Sequence, residues 1–235
     1  MTAWRLRIAR RFRGPPDSGN GGYVCGLLAE RLAAPVATVT LRRPPPLERE
    51  LDIVVSGAGL DLLDGDLLIA SAEPAALELE VTPPPTSEAA SSAAGSFAGF
   101  DRHAFPGCFV CGPERGHVDG LGIFAGVVGH GQVAAEWVPH ASLAGEDGGV
   151  GPTFLWAALD CPGYWSVADV AGVAMLGRMT ARIDAAVQPG EPLIVTGWPI
   201  ERDGRKHHVG TALHRPDGTL VACARATWIA FAALD

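Results

Sequence analysis

Short stretches in which apolar and polar residues alternate occupy most of this chain, which is the pattern of β-strands that bury one face. In the first half they predict strands at residues 4–12, 36–41, 51–56 and 76–81, and a hairpin at 60–71 that turns at Asp64-Gly65. In the second half they predict strands at 121–128, 132–137, 174–183, 192–200, 206–213 and 220–232. The pattern therefore predicts a protein built mainly of antiparallel strands.

Two segments depart from this alternation and predict helices. The first is residues 23–32, opened by the sequence Asn20-Gly21-Gly22. The second, residues 151–160, is apolar on every side until it reaches Asp160, and a helix that is apolar all round belongs in a core. Pro152 suits a first helical position, whereas Pro162 makes continuation beyond Asp160 unfavourable. Burying a carboxylate is costly, so we expect Asp160 to have hydrogen-bond partners or a chemical role.

The two halves of the chain repeat each other. The sequence Asn20-Gly21-Gly22 before the first helix corresponds to Gly151-Pro152-Thr153 before the second. Further along, residues 39–41, 53–57 and 64–65 correspond to residues 181–183, 193–197 and 203–204. The spacing grows after the second helix, which indicates an insertion of about ten residues there, and such a repeat indicates a duplicated domain. We expect one unit at 1–82, a linker at 83–104 rich in proline, serine and alanine, and a second unit at 105–235.

Composition narrows the classes of protein. The 235 residues carry a net charge of −8, which argues against a general nucleic-acid binder. No apolar run approaches the ~20 residues needed to span a bilayer, and the basic N-terminus lacks the apolar region of a signal peptide. The five cysteines are an odd number, so free thiols are expected rather than a disulfide framework. We therefore expect a cytoplasmic protein without nucleic-acid or membrane partners.

The layout of the two halves resembles the hotdog fold, present twice, as in the double-hotdog acyl-CoA thioesterases. The second half carries the sharper likeness. Residues 108–114 and 120–124 are similar to a recurrent opening of phenylacetate-pathway-type thioesterases, and residues 204–206 and 217–222 extend the match. The resemblance implies an α+β double hotdog. It would contain two antiparallel sheets, each wrapped around a long helix, that merge into one long sheet.

The resemblance also implies an activity, thioester hydrolysis, with one active site per chain. Asp160 falls where the family has its catalytic Asp or Glu, and Ala29 stands at the corresponding position of the first half. The chain departs from the family at Gly151, where a histidine is usual, and at Ala226, where a glutamine is frequent. Two alternatives therefore stay open: a non-catalytic acyl-thioester binding protein, and a hotdog hydratase.

The resemblance assigns roles around this helix. Asp160 would act as general base or nucleophile. Backbone N–H groups near Gly151 would hold the carbonyl oxygen, and because Pro152 cannot donate, the amide of Thr153 is the first candidate and that of Phe154 the second. The two ends of one helix are about 10 Å apart, so the facing half would have to complete the site. The candidates for that part, and for substrate binding more widely, are Asn20, Tyr23, Glu30, Phe154 and Trp156.

The remaining candidates concern the substrate and possible ligands. Arg205 and Lys206 would hold a coenzyme A phosphate, or else they are solvated charges of a turn. Coenzyme A enters only as part of an acyl-CoA or acyl-carrier thioester, no other cofactor is expected, and a homodimer of such chains is possible.

A Cys-x2-Cys pair at Cys108 and Cys111 raises the question of a metal. Zinc could use His103 and His117 as further ligands, but one pair without a second favours a structural loop, so no metal is predicted. Cys161 is either a nucleophile or, as we favour, a small buried residue.

Overall fold

The strands form one antiparallel sheet in the computed structural model, which describes residues 4–116 and 118–231. The first half contributes β1 (Trp4–Arg7), β2 (Val36–Leu41), β3 (Glu50–Ser56), β4 (Gly59–Asp64) and β5 (Leu67–Pro74). The second half contributes β6 (Gly126–Gly129), β7 (Gln132–Trp137), β8 (Ala174–Ile183), β9 (Leu193–Asp203), β10 (Lys206–His214) and β11 (Leu220–Ala230). The strand order is β1-β3-β4-β5-β2-β8-β11-β10-β9-β7-β6.

This order repeats about its centre. The series β1-β3-β4-β5-β2 is mirrored by β7-β9-β10-β11-β8, and β6 is an additional edge strand. The halves meet where β2 pairs antiparallel with β8, and there Thr38 faces Thr180 with their hydroxyl oxygens 2.6 Å apart. These two threonines are related by the same spacing as residues 39–41 and 181–183, so a pseudo-two-fold axis passes between them. The antiparallel pairing and the merging are as predicted, but the described strands form one continuous sheet rather than two.

Five helices are present in the described residues: α1 (Gly21–Leu32), α2 (Ser87–Ala94), α3 (Pro152–Ala158), α4 (Cys161–Trp165) and α5 (Ala168–Ala171). Both α1 and α3 lie against the sheet and against each other, in the main core cluster. Among the described residues, no helix combines the length and the apolar character needed to cross a membrane.

The second predicted helix, at residues 151–160, is slightly shorter than expected. It ends at Ala158, and a new helix begins at Cys161 with Asp160 as its N-cap residue. Pro162 does not end helical structure, because it lies in the first turn of α4, where a missing N–H costs no hydrogen bond. The break places Asp160 between two short helices, and α5, which follows, lies where the insertion was expected.

Several strand predictions were too long. Residues 10–12 form a 3-10 helix, and residues 76–81 pair with no strand. The alternation in the latter segment is real, but it reflects packing on a face of the sheet: Leu77, Leu79 and Val81 contact a cluster formed by Trp198, Ala212 and Cys223. Likewise β6 begins only at Gly126, and the end of β11 falls short of residue 232, which lies outside the described residues.

The stretch predicted as a linker carries a helix of its own. Thr86 caps α2 through its hydroxyl, which accepts a hydrogen bond from the Ala89 amide, and Ala90 is fully buried. Ala90 packs with Ala134 and Ile194 of the second half. The segment therefore covers part of the sheet, while the boundaries at residues 82 and 105 stay predictions.

Helices α1 and α3 cross at a distance that only glycine allows. A Cβ atom added at Gly26 would lie 2.7 Å from Cα and 2.8 Å from the carbonyl oxygen of Thr153. One added at Gly22, a turn earlier, would lie 2.5 Å from Cβ of Asp160 and 2.8 Å from the carbonyl oxygen of Trp156. Real Cβ atoms do not approach backbone atoms this closely, so the crossing depends on both glycines.

We expect Gly26→Ala to lower the free energy of unfolding by about 1–3 kcal/mol, because the methyl group forces the helices apart. The gain in helix propensity, about 1 kcal/mol, opposes this effect and is smaller. Urea unfolding followed by circular dichroism measures the difference. The control is Gly116→Ala, where an added Cβ meets no atom within 4 Å; equal stability of both variants would contradict the close crossing.

Candidate active site

Asp160 is the buried acid of the fold, with 1% of its surface exposed. The junction between α3 and α4 carries it to the N-terminus of α1, which belongs to the other half. Its Oδ2 accepts hydrogen bonds from Nδ2 of Asn20 at 2.8 Å and from the backbone amide of Gly22 at 2.9 Å. Its Oδ1 is buried and accepts none from the described residues. One carboxylate oxygen is therefore held in place while the other is left without a partner.

The environment of this carboxylate is mostly apolar. Burial raises the pKa of Asp160 to about 7, a shift that the Gly22 amide and the Asn20 side chain oppose and the neighbouring Cys108 reinforces. The group is thus much easier to protonate than a surface aspartate.

The start of α1 is arranged around one asparagine. Oδ1 of Asn20 accepts a hydrogen bond from the Tyr23 amide at 2.9 Å, which caps the helix, while Nδ2 of the same side chain donates to Asp160. The Gly21 amide is the first of the helix, where no intrahelical acceptor exists, and it forms no hydrogen bond within the described residues. The helix dipole adds partial positive charge at this end. A free donor and a free carboxylate oxygen therefore lie on neighbouring residues of one site.

A cavity of about 300 Å³ opens beside Asp160. Its inner part is lined by Asn20, Gly21, Cys108, Asp160 and Cys161, all of them buried or nearly so. Apolar side chains of β2, β8 and β11 form its walls, among them Leu41, Leu176 and Trp228. An apolar chamber with a few convergent polar groups is typical of a small-molecule site.

Three arginines line the exposed part of this cavity. Arg42 and Arg43 follow β2, and Arg205 lies in the turn before β10. In the described part of the chain, none of these guanidinium groups has a carboxylate within ion-pairing distance. Three positive charges without carboxylate partners make this entrance chemically suited to an anionic group.

The predicted residues at the start of α3 face a different partner. The hydroxyl of Thr153 donates to Oε2 of Glu30 at 2.7 Å, and the amide of Phe154 donates to the carbonyl of Gly151 at 2.9 Å. These four residues lie outside the set that lines the cavity of Asp160. By the sequence repeat, this contact between α1 and the start of α3 corresponds to the contact between Asp160 and the start of α1. The residue that corresponds to Asp160 is Ala29.

Other predicted residues contribute to packing. Tyr23 stacks on Phe12 with ring centroids 4.1 Å apart, and Phe109 and Phe154 complete this aromatic cluster. Burial in the cluster raises the pKa of Tyr23 to about 12. Trp156 lies in the helix crossing beside Gly26, and Lys206 is exposed on β10. Of the predicted residues, Asn20, Asp160 and Arg205 line the cavity; substrate contacts of the others stay predictions.

Sequence reasoning missed several residues of the site. Arg42 and Arg43 carried a signal, since they are two adjacent arginines that precede three prolines. The Gly21 amide had no such sequence signal, because its role depends on the backbone conformation at the start of α1. The contact between Cys161 and Cys108 also joins parts of the chain that sequence spacing cannot relate.

All five cysteines are free thiols, as the odd count predicted. Three of them, Cys108, Cys111 and Cys161, lie together below the cavity with sulfur atoms within 4.8 Å of one another. His103 approaches this group with Nε2 at 3.2 Å from Sγ of Cys111. His117, the other histidine considered for a metal, lies outside the described residues.

The fold is shared with known hotdog proteins. Acyl-CoA thioesterase II TesB2 from Mycobacterium marinum matches at 11% identity and a TM-score of 0.60, over 99% of this chain and 94% of its own. The tesB protein of Mycobacterium avium subs paratuberculosis matches at 11% identity and a TM-score of 0.61, over 98% of this chain and 93% of its own. A conserved hot dog fold protein from Alicyclobacillus acidocaldarius matches at 13% identity and a TM-score of 0.62, over 99% of this chain and 94% of its own.

No protein-family model and no curated protein matches the sequence. At identities this low, structural likeness demonstrates the fold alone. The chain therefore has the hotdog fold found in thioesterases, as its sequence led us to expect, and its activity has to be argued from its own residues.

We expect Asn20→Ala to lower the free energy of unfolding by about 1–3 kcal/mol, since it removes the cap of α1 and one partner of a buried carboxylate. Asn20→Ser restores a cap acceptor for the Tyr23 amide but not the amide donor to Asp160, so it should recover only part of the loss. Urea unfolding of the three proteins measures both contributions. Full recovery by serine would mean that the hydrogen bond to Asp160 contributes nothing.

Proposed function

We propose that this protein hydrolyses the thioester bond of an acyl-CoA or acyl-carrier substrate, at one active site per chain centred on Asp160. The observation that carries the proposal is the placement of a buried carboxylate, with one oxygen free, at the start of a helix whose first amide is also free. Both groups line one cavity. Attack by water on a carbonyl needs a base and a donor for the developing negative charge, and these two groups have those properties.

The reaction requires few groups. The thioester carbonyl oxygen lies at the Gly21 amide, where the dipole of α1 favours the negative charge that develops there. Asp160 takes a proton from a water molecule whose oxygen attacks the carbonyl carbon. The carbon–sulfur bond then breaks, and the proton passes from Asp160 to the leaving thiolate. In this proposal the donor belongs to α1 and not to Thr153, because the acid faces α1.

Substrate recognition follows from the shape and charge of the cavity. The acyl group lies against the apolar walls formed by Leu176 and Trp228, and the phosphates of the carrier lie at the three arginines. Both acyl-CoA and a carrier-linked phosphopantetheine present phosphate, so the arginines suit either substrate.

The duplication underlies this arrangement. We infer that each half is one hotdog unit, that the two together form a double hotdog, and that the facing unit supplies the base that the first lacks. Ala29 occupies the position in the first half that corresponds to Asp160, so the first half has no equivalent base. One active site per chain follows. Association of two such chains into a homodimer is a further expectation, which light scattering would test.

Asp160→Asn should lower turnover of an acyl-CoA by ~10²-fold or more, because it preserves size while removing the base. Release of free thiol, measured across a panel of acyl chain lengths, gives the rates. Glu30→Gln is the matched control, since it removes an acid at the pseudo-equivalent contact, and we expect a much smaller effect.

Two outcomes would contradict this mechanism. Equal losses in both variants would mean that the acids act through stability. If the wild-type protein binds acyl-CoA without releasing thiol, the alternative of a non-catalytic binding protein holds, and Gly151 and Ala226 then become the relevant departures from the family.

Replacing Arg42, Arg43 and Arg205 together by glutamine should raise KM for acyl-CoA by ~10-fold or more, because each charge-assisted contact to phosphate contributes on the order of 1 kcal/mol. The KM for the corresponding N-acetylcysteamine thioester, which lacks phosphate, should not change. Arg31→Gln, at the exposed end of α1, is the control. An equal rise in KM for both substrates would show that the arginines do not bind the phosphates.

A further inference from the structure

The three cysteines beneath the cavity form a group that hydrolysis does not use. Cys108 and Cys111 belong to the loop before β6, and Cys161 is the first residue of α4. All three are buried, and the sulfur atoms of Cys108 and Cys161 are 3.7 Å apart. One disulfide would join only two of the three sulfurs, whereas a single metal ion can bind all three.

The distances match a thiolate metal centre. Zinc–sulfur bonds are about 2.3 Å long, and tetrahedral geometry then separates two sulfurs by about 3.8 Å. The pair Cys108–Cys161 already has this separation, and each of the three sulfurs lies within 4.8 Å of the others. A movement of less than about 1 Å by a side chain would complete the geometry.

The backbone around the Cys-x2-Cys pair is folded as a tight turn. The amide of Gly112 donates to the carbonyl of Cys108 at 2.9 Å, which closes the turn. A Cβ atom at Gly112 would lie 2.5 Å from the backbone nitrogen and oxygen of Cys108, so the turn requires glycine.

Two further donors surround the sulfur of Cys111. The Phe105 amide donates to Nδ1 of His103, so the neutral ring carries its proton on Nε2 and donates it to Cys111 at 3.2 Å. The buried indole N–H of Trp165 lies near the same cysteine and forms no hydrogen bond within the described residues. His103 is therefore a hydrogen-bond donor beside the site and is not itself a ligand.

We propose that Cys108, Cys111 and Cys161 bind one zinc ion as thiolate ligands, with a small molecule such as water in the fourth position. Binding displaces the thiol protons, and the soft sulfur ligands favour zinc over magnesium or calcium. The ion ties the loop before β6 to the residue next to Asp160. It thereby fixes the inner end of the cavity, a role independent of whether the protein hydrolyses thioesters.

Metal content of the full-length protein, purified under reducing conditions without chelators, tests the proposal. We expect about one zinc per chain, or uptake of one equivalent when Zn²⁺ is added to a metal-free preparation. Cys108→Ser, Cys111→Ser and Cys161→Ser should each lower the affinity at least ~10-fold. Cys223→Ser is the matched control, because that cysteine is also buried but packs against Trp198 and Ala212.

Cobalt substitution provides a measurement that does not depend on the folding of any variant. Co²⁺ bound to the wild-type protein should show the sulfur-to-metal charge-transfer absorption of three thiolates. Failure of the wild-type protein to bind either ion with thiolate absorption would overturn the proposal. So would zinc that persists unchanged in all three cluster variants, or a different metal that zinc cannot replace.

Discussion

The hydrogen bonds between Asp160 and the start of α1 join the two halves of the molecule in its buried interior, beside the cavity. The acid comes from the second half, and the amide groups come from the first. This contact requires the helices to cross closely, which in turn requires glycine at positions 22 and 26. The buried carboxylate, the helix crossing and the cavity therefore meet at the start of α1.

The two halves have mirrored strand orders, but the two corresponding helix contacts differ in their polar groups. At the first, Asp160 meets a helix start with a capping asparagine. At the second, Thr153 meets Glu30, which lies one residue beyond the equivalent of Asp160, on a different side of its helix. Within the described residues, only the crossing at Asp160 has an acid buried in the core.

The sequence was sufficient for the repeat, the antiparallel pairing, most strands and the burial of Asp160, because these depend on local periodicity and on one acid in an apolar segment. It was insufficient where the same pattern has two physical explanations. Alternation at residues 76–81 means packing across a face of the sheet rather than pairing at its edge. Pro162 is compatible with the end of one helix or with the start of another. The partners of Asp160 depend on the helix crossing, which involves residues far apart in the chain.

The pairing of β2 with β8 has a consequence for how the molecule assembles. Strands β1 to β5 pair only with one another until β8 arrives, so during synthesis the first half can form its own sheet while an edge at β2 remains open. An open edge is a template for unwanted association, and closing it requires contacts between residues that are very distant in sequence, which slows folding. The last long-range step that protects this edge also brings the second half onto α1. Covering the edge of β2 and joining Asp160 to α1 therefore both require the second half to fold against the first.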